Sequence, residues 1–126
     1  MVKRILVVDD EFDVRKLLTF ALKKCQYEVL AVADGNSAVE QIGAFRPDVV
    51  LLDLKLPDID GYEVFSRFKS NPATAQVPVI FITAYTAYGN ENVTDKTGRI
   101  GAAGCLLKPF EFSALRAKLE AVLSPN

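Results

Sequence analysis

The chain has 126 residues, half of them hydrophobic and a quarter charged, which is the size and balance of one globular domain with a proper core. Its 15 basic and 16 acidic residues leave a net charge of −1, so it has no basic surplus for a nucleic-acid backbone and direct DNA or RNA binding is not expected. It contains no histidine, which excludes His-ligated metal sites, Ser-His and Cys-His nucleophiles and a self-contained histidine relay. No apolar run approaches membrane-spanning length, and the acids from Asp9 onward end the first apolar stretch too early for a secretory signal. Only two cysteines are present, Cys25 and Cys105, in no metal-type spacing; we expect them to be buried thiols in a cytoplasmic protein.

Ile5 to Val8 is a continuous apolar run ended by acids, which predicts a strand buried on both faces. Val14, Leu17, Leu18, Ala21 and Leu22 then recur at helical spacing, with Asp13 as the expected N-cap. Tyr27 to Ala33 predicts a second strand and Asp34-Gly35 a turn. Ser37 to Phe45 reads as a short helix capped by Asn36. Four apolar residues between Asp48 and Asp53 predict the central strand. The loop Leu56 to Gly61 follows, and Asp60 and Glu63 have capping-box spacing for a helix that Asn71-Pro72 stops near Ser70.

Val77 to Ile82 predicts a fourth strand, with Pro78 near its start. The stretch from Tyr85 to Gly104 is rich in Gly, Asn and Thr. It predicts a long loop with a short frayed helix inside 91–102. Cys105 to Leu107 predicts a fifth strand. Phe112, Leu115, Leu119 and Val122 mark a closing amphipathic helix, and Ser124-Pro125-Asn126 a tail or linker stub. Strand–helix alternation at this spacing predicts one α/β domain over 1–126, with a parallel sheet and helices on both faces.

In such sheets the functional crevice lies beyond the carboxyl ends of the strands. Asp9 and Asp10 end the first strand, Asp53 the third, Thr83 the fourth and Lys108 the fifth. If the first and third strands are neighbours, three carboxylates converge there. Two carboxylates about 5 Å apart repel by roughly 3 kcal/mol at an effective dielectric of 20, so such a cluster calls for a cation. Oxygen-only ligands in an open site suit Mg²⁺. With Asp9 and Asp10 on the metal, Asp53 is left as a nucleophile for phosphorus. Lys108 supplies an ammonium and Thr83 a hydroxyl for the phosphoryl oxygens.

Ile5-Leu6-Val7-Val8-Asp9-Asp10-Glu11, Leu51-Leu52-Asp53-Leu54, Pro57-Asp58-Ile59-Asp60-Gly61, Ile82-Thr83-Ala84 and Lys108-Pro109-Phe110 together resemble the receiver domain of bacterial two-component response regulators, over essentially the whole chain. The resemblance implies a flavodoxin-like fold with strand order 2-1-3-4-5. It implies Asp53 as phosphoacceptor and Mg²⁺, with Mn²⁺ as a substitute, held by Asp10, Asp9, Asp53 and the Lys55 backbone carbonyl. Thr83 and Lys108 would bind the phosphoryl group, and the peptide before Pro109 would be cis. The implied donor is a phosphohistidine on a sensor histidine kinase or histidine phosphotransfer protein, the downstream partner being another protein. Asp58 and Asp60 read as loop and cap residues, and Glu11 as a solvated or supporting charge.

The chain departs from the family pattern in three places. Cys105 stands where similar proteins carry Tyr or Phe, so the usual threonine-to-aromatic coupling is not expected, and Tyr85, Tyr88 or the loop after the fourth strand are the substitutes. The interval from Thr83 to Lys108 is a few positions longer than usual, which predicts an altered fourth helix. Lys55 and Tyr85 occupy positions that flank the attacking water in the family; a long cation and a bulky ring there predict slow autodephosphorylation.

Three other classes compete. An aspartyl phosphatase would place a second Asp two positions after its nucleophile, where this chain has Lys55. A receiver-like interaction module without phosphorylation would not need the full set of pocket residues. A nucleotide- or flavin-binding domain would need a glycine-rich loop where Asp9-Asp10-Glu11 stands.

Overall fold

The computed structural model describes residues 2–88 and 91–124. Gly89 and Asn90, within the Gly-, Asn- and Thr-rich stretch expected to form a loop, and the tail residues Pro125 and Asn126 lie outside the described residues, as does the side chain of Tyr88. The elements in chain order are β1 (Arg4–Val8), α1 (Phe12–Lys24), β2 (Glu28–Val32), α2 (Gly35–Phe45), β3 (Val49–Asp53), α3 (Gly61–Ser70), β4 (Val79–Thr83), β5 (Ala87–Tyr88), β6 (Glu91–Asn92), α4 (Val93–Arg99), β7 (Gly104–Leu107) and α5 (Phe112–Leu123). The main sheet is parallel throughout, in the order β2-β1-β3-β4-β7. This is the expected 2-1-3-4-5 order. The fifth strand is labelled β7 because a small antiparallel ribbon, β5 with β6, precedes it.

The three central strands are apolar on both faces because helices cover both faces. Leu6, Val8, Val50, Leu52, Val79 and Phe81 pack on Ala38, Ile42, Val64, Phe65 and Phe68 from α2 and α3. Their alternates Ile5, Val7, Val49, Leu51, Ile80 and Ile82 pack on Leu18, Leu22, Leu115 and Leu119 from α1 and α5. Each fully buried Val, Leu, Ile or Phe side chain among them contributes roughly 1.5–3 kcal/mol relative to exposure. The strand ends are therefore fixed by a core on either side. Among the described residues, no helix is long and apolar enough to cross a membrane.

Several local expectations are corrected. Helix α1 starts at Phe12 with Glu11 at its cap position, and Asp13 falls in the first turn. The Glu11 carboxylate bonds Lys108 and makes no cap bond. Helix α2 starts two residues earlier than Ser37, and Asn36 lies inside it. Its cap is Asp34, which accepts from the Ser37 N–H at 2.7 Å. Asp58, reaching over from the loop before α3, accepts from the N–H groups of Gly35 (2.9 Å) and Asn36 (2.7 Å). Two carboxylates thus satisfy the three otherwise orphaned donors of that helix start. Asp60 caps α3, accepting from Glu63 N–H at 2.9 Å, while Glu63 pairs with Arg67.

Both cysteines are free and half-buried, where full burial was expected. Between β4 and β7 the expected loop is partly the β5–β6 ribbon, and the helix is the seven-residue α4.

Candidate functional site

Parallel register sets the site. Val8 of β1 pairs with Leu52 of β3, Asp53 with Ile82 of β4, and Thr83 with Leu107 of β7. The residues that follow, together with Asp53 and Thr83 themselves, therefore sit at one edge of the sheet. Asp9, Asp10 and Asp53 come together there, each with an oxygen within 4.8 Å of the others. Asp9 is fully buried and Asp53 nearly so, whereas Asp10 is exposed. A cleft of about 260 Å³ opens over them, lined by Asp10, Glu11, Asp53, Lys55, Ala84, Tyr85 and Lys108.

Lys108 organises these carboxylates. Its ammonium lies 2.7 Å from Asp9 Oδ2, 3.0 Å from Glu11 Oε1 and 3.1 Å from Asp53 Oδ2. The Lys108–Pro109 peptide is cis, and the Lys108 N–H donates to the Thr83 carbonyl at 2.7 Å. Asp9 is held further by the Glu11 N–H on its Oδ1 (2.9 Å) and by Arg15 Nη1 on its carbonyl (2.9 Å). Among the described residues, the one contact to Asp53 Oδ1 is a long one, 3.3 Å, from the Lys55 N–H. Thr83 is fully buried, and its hydroxyl oxygen accepts from the Tyr85 N–H at 3.1 Å. Lys55 Nζ lies 5.9 Å over the Tyr85 ring centroid.

The electrostatics follow from this packing. Burial pushes the Asp53 carboxyl up to about 6; Lys108 opposes the rise and the Asp9 charge adds to it. Burial would lower the Lys108 pKa, but its hydrogen bonds to Asp9 and Glu11 and the charges of Asp53 and Asp9 outweigh burial and raise it. The lysine is thus firmly cationic. The Lys108 ammonium is shared among the carboxylates of Asp9, Glu11 and Asp53, with Asp10 beside them in the cluster.

The oxygen-only donor set fits a hard divalent cation such as Mg²⁺. Asp53 Oδ1 and the exposed Asp10 carboxylate are the donors least occupied by protein. Among the described residues, the Asp10 carboxylate has no hydrogen-bond or ion-pair partner.

The structure brings together Asp9, Asp10, Asp53 and Lys108, with Lys55 and Tyr85 lining the same cleft. It keeps Thr83 beneath the loop instead of on the lining. Cys105 lies off the cleft, packed on the core side that holds α2 and α3, and burial raises its thiol pKa. The sequence reading did not anticipate the Lys108–Glu11 bond, the Arg15 support of Asp9, or Gly61. A Cβ on Gly61 would fall 2.5 Å from the Asp53 carbonyl oxygen. The run Asp9-Asp10-Glu11 was the available signal for the first of these: three adjacent acids at a strand end need a nearby cation.

The fold and pocket define a doubly wound α/β domain with an acidic, lysine-bridged cleft at its strand ends. The family model for the response regulator receiver domain matches residues 5–120, and the chain belongs to this family, the receivers of two-component systems. It is 34% identical over 116 residues to sporulation initiation phosphotransferase F of Bacillus subtilis, covering 92% of this chain and 90% of that protein. It is 36% identical over 121 residues to the phosphate regulon transcriptional regulatory protein PhoB of Pseudomonas aeruginosa, covering 96% of this chain but only 52% of that protein. The chain thus spans nearly all of the first relative and about half of the second. The chemotaxis protein CheY4 of Vibrio cholerae has the same fold, with a TM-score of 0.86 at 28% identity over 98% of this chain and 100% of that one.

Proposed function

We propose that the chain is a cytoplasmic phosphorylation switch whose Asp53 accepts a phosphoryl group from a phosphohistidine on a sensor kinase or histidine phosphotransfer protein. The observation that carries this reading is the Lys108 ammonium, 3.1 Å from Asp53 Oδ2 and 2.7 Å from buried Asp9, beside a cluster of three carboxylates. A buried carboxylate with a fixed cation at one oxygen and only a long contact at the other among the described residues supports its reading as a nucleophile for phosphorus.

In that step Asp53 forms a new O–P bond as the donor's P–N bond breaks. The electron pair returns to the imidazole nitrogen, which takes up a proton. The product is an acyl phosphate. Asp9, Asp10, Asp53 and the Lys55 carbonyl are the residues that would hold Mg²⁺, or Mn²⁺ in its place. When bound, that ion neutralises charge on the phosphoryl oxygens. Lys108 neutralises charge from its own side, and the Thr83 hydroxyl has one proton to donate. Lys55 and Tyr85 flank the cleft and restrict water, which makes hydrolysis of the acyl phosphate slow. The chain assists its own phosphorylation and slow dephosphorylation and turns over no separate substrate. Phosphorylation alters a surface read by a downstream protein.

Incubation with acetyl phosphate and Mg²⁺, followed by intact mass, tests this. The expected result is a gain of one phosphoryl group that is lost with chelator and in Asp53→Asn. A folded, Mg²⁺-supplied chain that gains nothing would mean a module working by protein contacts alone.

A further inference from the structure

Resting on the reading above, we propose that Glu11 is a placeholder on Lys108: its carboxylate holds the ammonium in the resting chain and gives up that place to a phosphoryl oxygen on Asp53.

A lysine ammonium carries three N–H donors and no acceptor. Lys108 Nζ already has three carboxylate partners, Asp9 Oδ2 at 2.7 Å, Glu11 Oε1 at 3.0 Å and Asp53 Oδ2 at 3.1 Å. A further oxygen can bond well only by displacing one of them.

The three partners differ in what their release costs. The Asp9 side chain is fully buried, so loss of the ammonium would strand a buried charge. The bonded oxygen of Asp53 loses charge when the acyl phosphate forms, but this side chain is nearly buried too. A buried carbonyl oxygen left without a donor is costly. The Glu11 side chain, by contrast, is 61% exposed. Once released it meets water, and an ion pair with so exposed a partner contributes little. Glu11 is therefore the partner that leaves.

The start of α1 leaves that carboxylate free to do so. Glu11 stands at the cap position, where short polar side chains accept from the first turn, yet its side chain makes no cap bond. Its backbone is fixed: the Glu11 N–H donates to Asp9 Oδ1 at 2.9 Å, and its carbonyl accepts from the Arg15 N–H at 3.1 Å. Only the side chain has to swing. The Lys108 main chain is tied as well, its N–H donating to the Thr83 carbonyl at 2.7 Å, so the exchange is confined to two side chains at the cleft. Glu11 acts through Lys108 and is a positioning residue.

The test uses the full chain carrying isotope-labelled lysine, with Lys108→Arg identifying the Lys108 ε-carbon signal. Phosphorylation with acetyl phosphate and Mg²⁺ is followed by intact mass. Glu11→Ala should displace the Lys108 signal in the resting chain, and the parent and variant signals should coincide once both are phosphorylated. Glu11→Asp keeps the charge on a side chain too short to reach the ammonium, so it should match Glu11→Ala in the resting spectrum. Both should take up the phosphoryl group about two- to fivefold faster than the parent, the factor that loss of an exposed ion pair supplies. Glu11→Gln keeps the side-chain shape without the charge, and makes the same comparison if Glu11→Ala fails to fold. No resting displacement, a displacement of equal size after phosphorylation, or a Glu11→Asp chain indistinguishable from the parent would overturn the placeholder and leave Asp53 as acceptor. Failure of the parent to gain mass would instead remove the phosphoacceptor reading and the placeholder with it.

Discussion

Lys55 and Tyr85 meet across the loops that follow β3 and β4: the lysine Nζ lies 5.9 Å above the tyrosine ring centroid, and both residues line the cleft over Asp53. An exposed cation–π contact of this kind is worth about 0.5–1 kcal/mol. If it holds the pair over the acyl phosphate, Lys55→Ala and Tyr85→Ala should each shorten the phosphorylated lifetime about two- to fivefold. Decay of the phosphorylated mass after removal of acetyl phosphate measures this. Decay that is fast in the parent and unchanged in both variants would end the shielding role.

Asp53 should make stability depend on pH. Its carboxyl is pushed up from 3.8 to about 6, chiefly by burial and further by Asp9. The folded state thus holds this proton more tightly than the unfolded chain does. The stabilisation is fully present below pH 3.8 and is lost as pH rises through about 6. At about 1.36 kcal/mol per unit, the loss is about 3 kcal/mol. In metal-free buffer, Asp53→Asn should therefore unfold at higher urea than the parent at pH 7.5, and the gap should close near pH 4. Parallel pH profiles for the two proteins would contradict the assignment.

Gly61 lets α3 begin directly against the acceptor strand. Its N–H donates to the Leu54 carbonyl at 2.7 Å, and an added Cβ would lie 2.5 Å from Asp53 O and 2.8 Å from Leu54 Cα. Backbone atoms cannot yield as a flexible side chain would. Gly61→Ala should cost roughly 1–3 kcal/mol and slow phosphorylation by displacing Asp53. Urea denaturation with an unchanged slope, alongside the phosphorylation rate, gives both numbers. A variant as stable and as fast as the parent would show that the contact is relieved freely.

Asp58 should act as a remote cap for α2. Its carboxylate takes the Gly35 and Asn36 N–H groups at 2.9 and 2.7 Å, and Asp58→Ala should cost about 1 kcal/mol, with Asp58→Asn costing less. Partial burial favours its protonated form, but these amide bonds outweigh burial and lower its pKa. Its contribution is therefore present above the unfolded-state pKa and lost as pH falls through the lowered folded value. Urea midpoints of Asp58→Ala and the parent should differ at pH 7 and converge in strong acid. A constant gap would assign the cost to something other than the charge.

The central strands were legible because burial on both faces leaves uninterrupted apolar runs, such as Val49 to Leu52. Asp9, Asp10, Asp53 and Lys108 were legible because charged residues directly after such runs have few other reasons to be there. Helix caps were harder. Asp34 competed with Asn36 as a neighbouring polar residue, and Asp58 reaches α2 from a distant part of the chain, which no local pattern reveals. The β5–β6 ribbon was invisible for a related reason. Its strands are two residues each, too short for any periodicity, and they are held by α4. Glu11 was read as a solvated or supporting charge because only the folded arrangement shows it bonding Lys108.

The most direct test of the central claim is to locate the modified residue. A chain treated with acetyl phosphate and Mg²⁺ is reduced with borohydride, which converts an aspartyl phosphate to homoserine, and its peptides are then mapped by mass. The account predicts one altered peptide, with the side-chain carboxyl of Asp53 reduced to an alcohol and Asp9, Asp10 and Asp58 intact. Modification at any of those three instead, or an unmodified Asp53 in a folded, Mg²⁺-supplied chain, would contradict it.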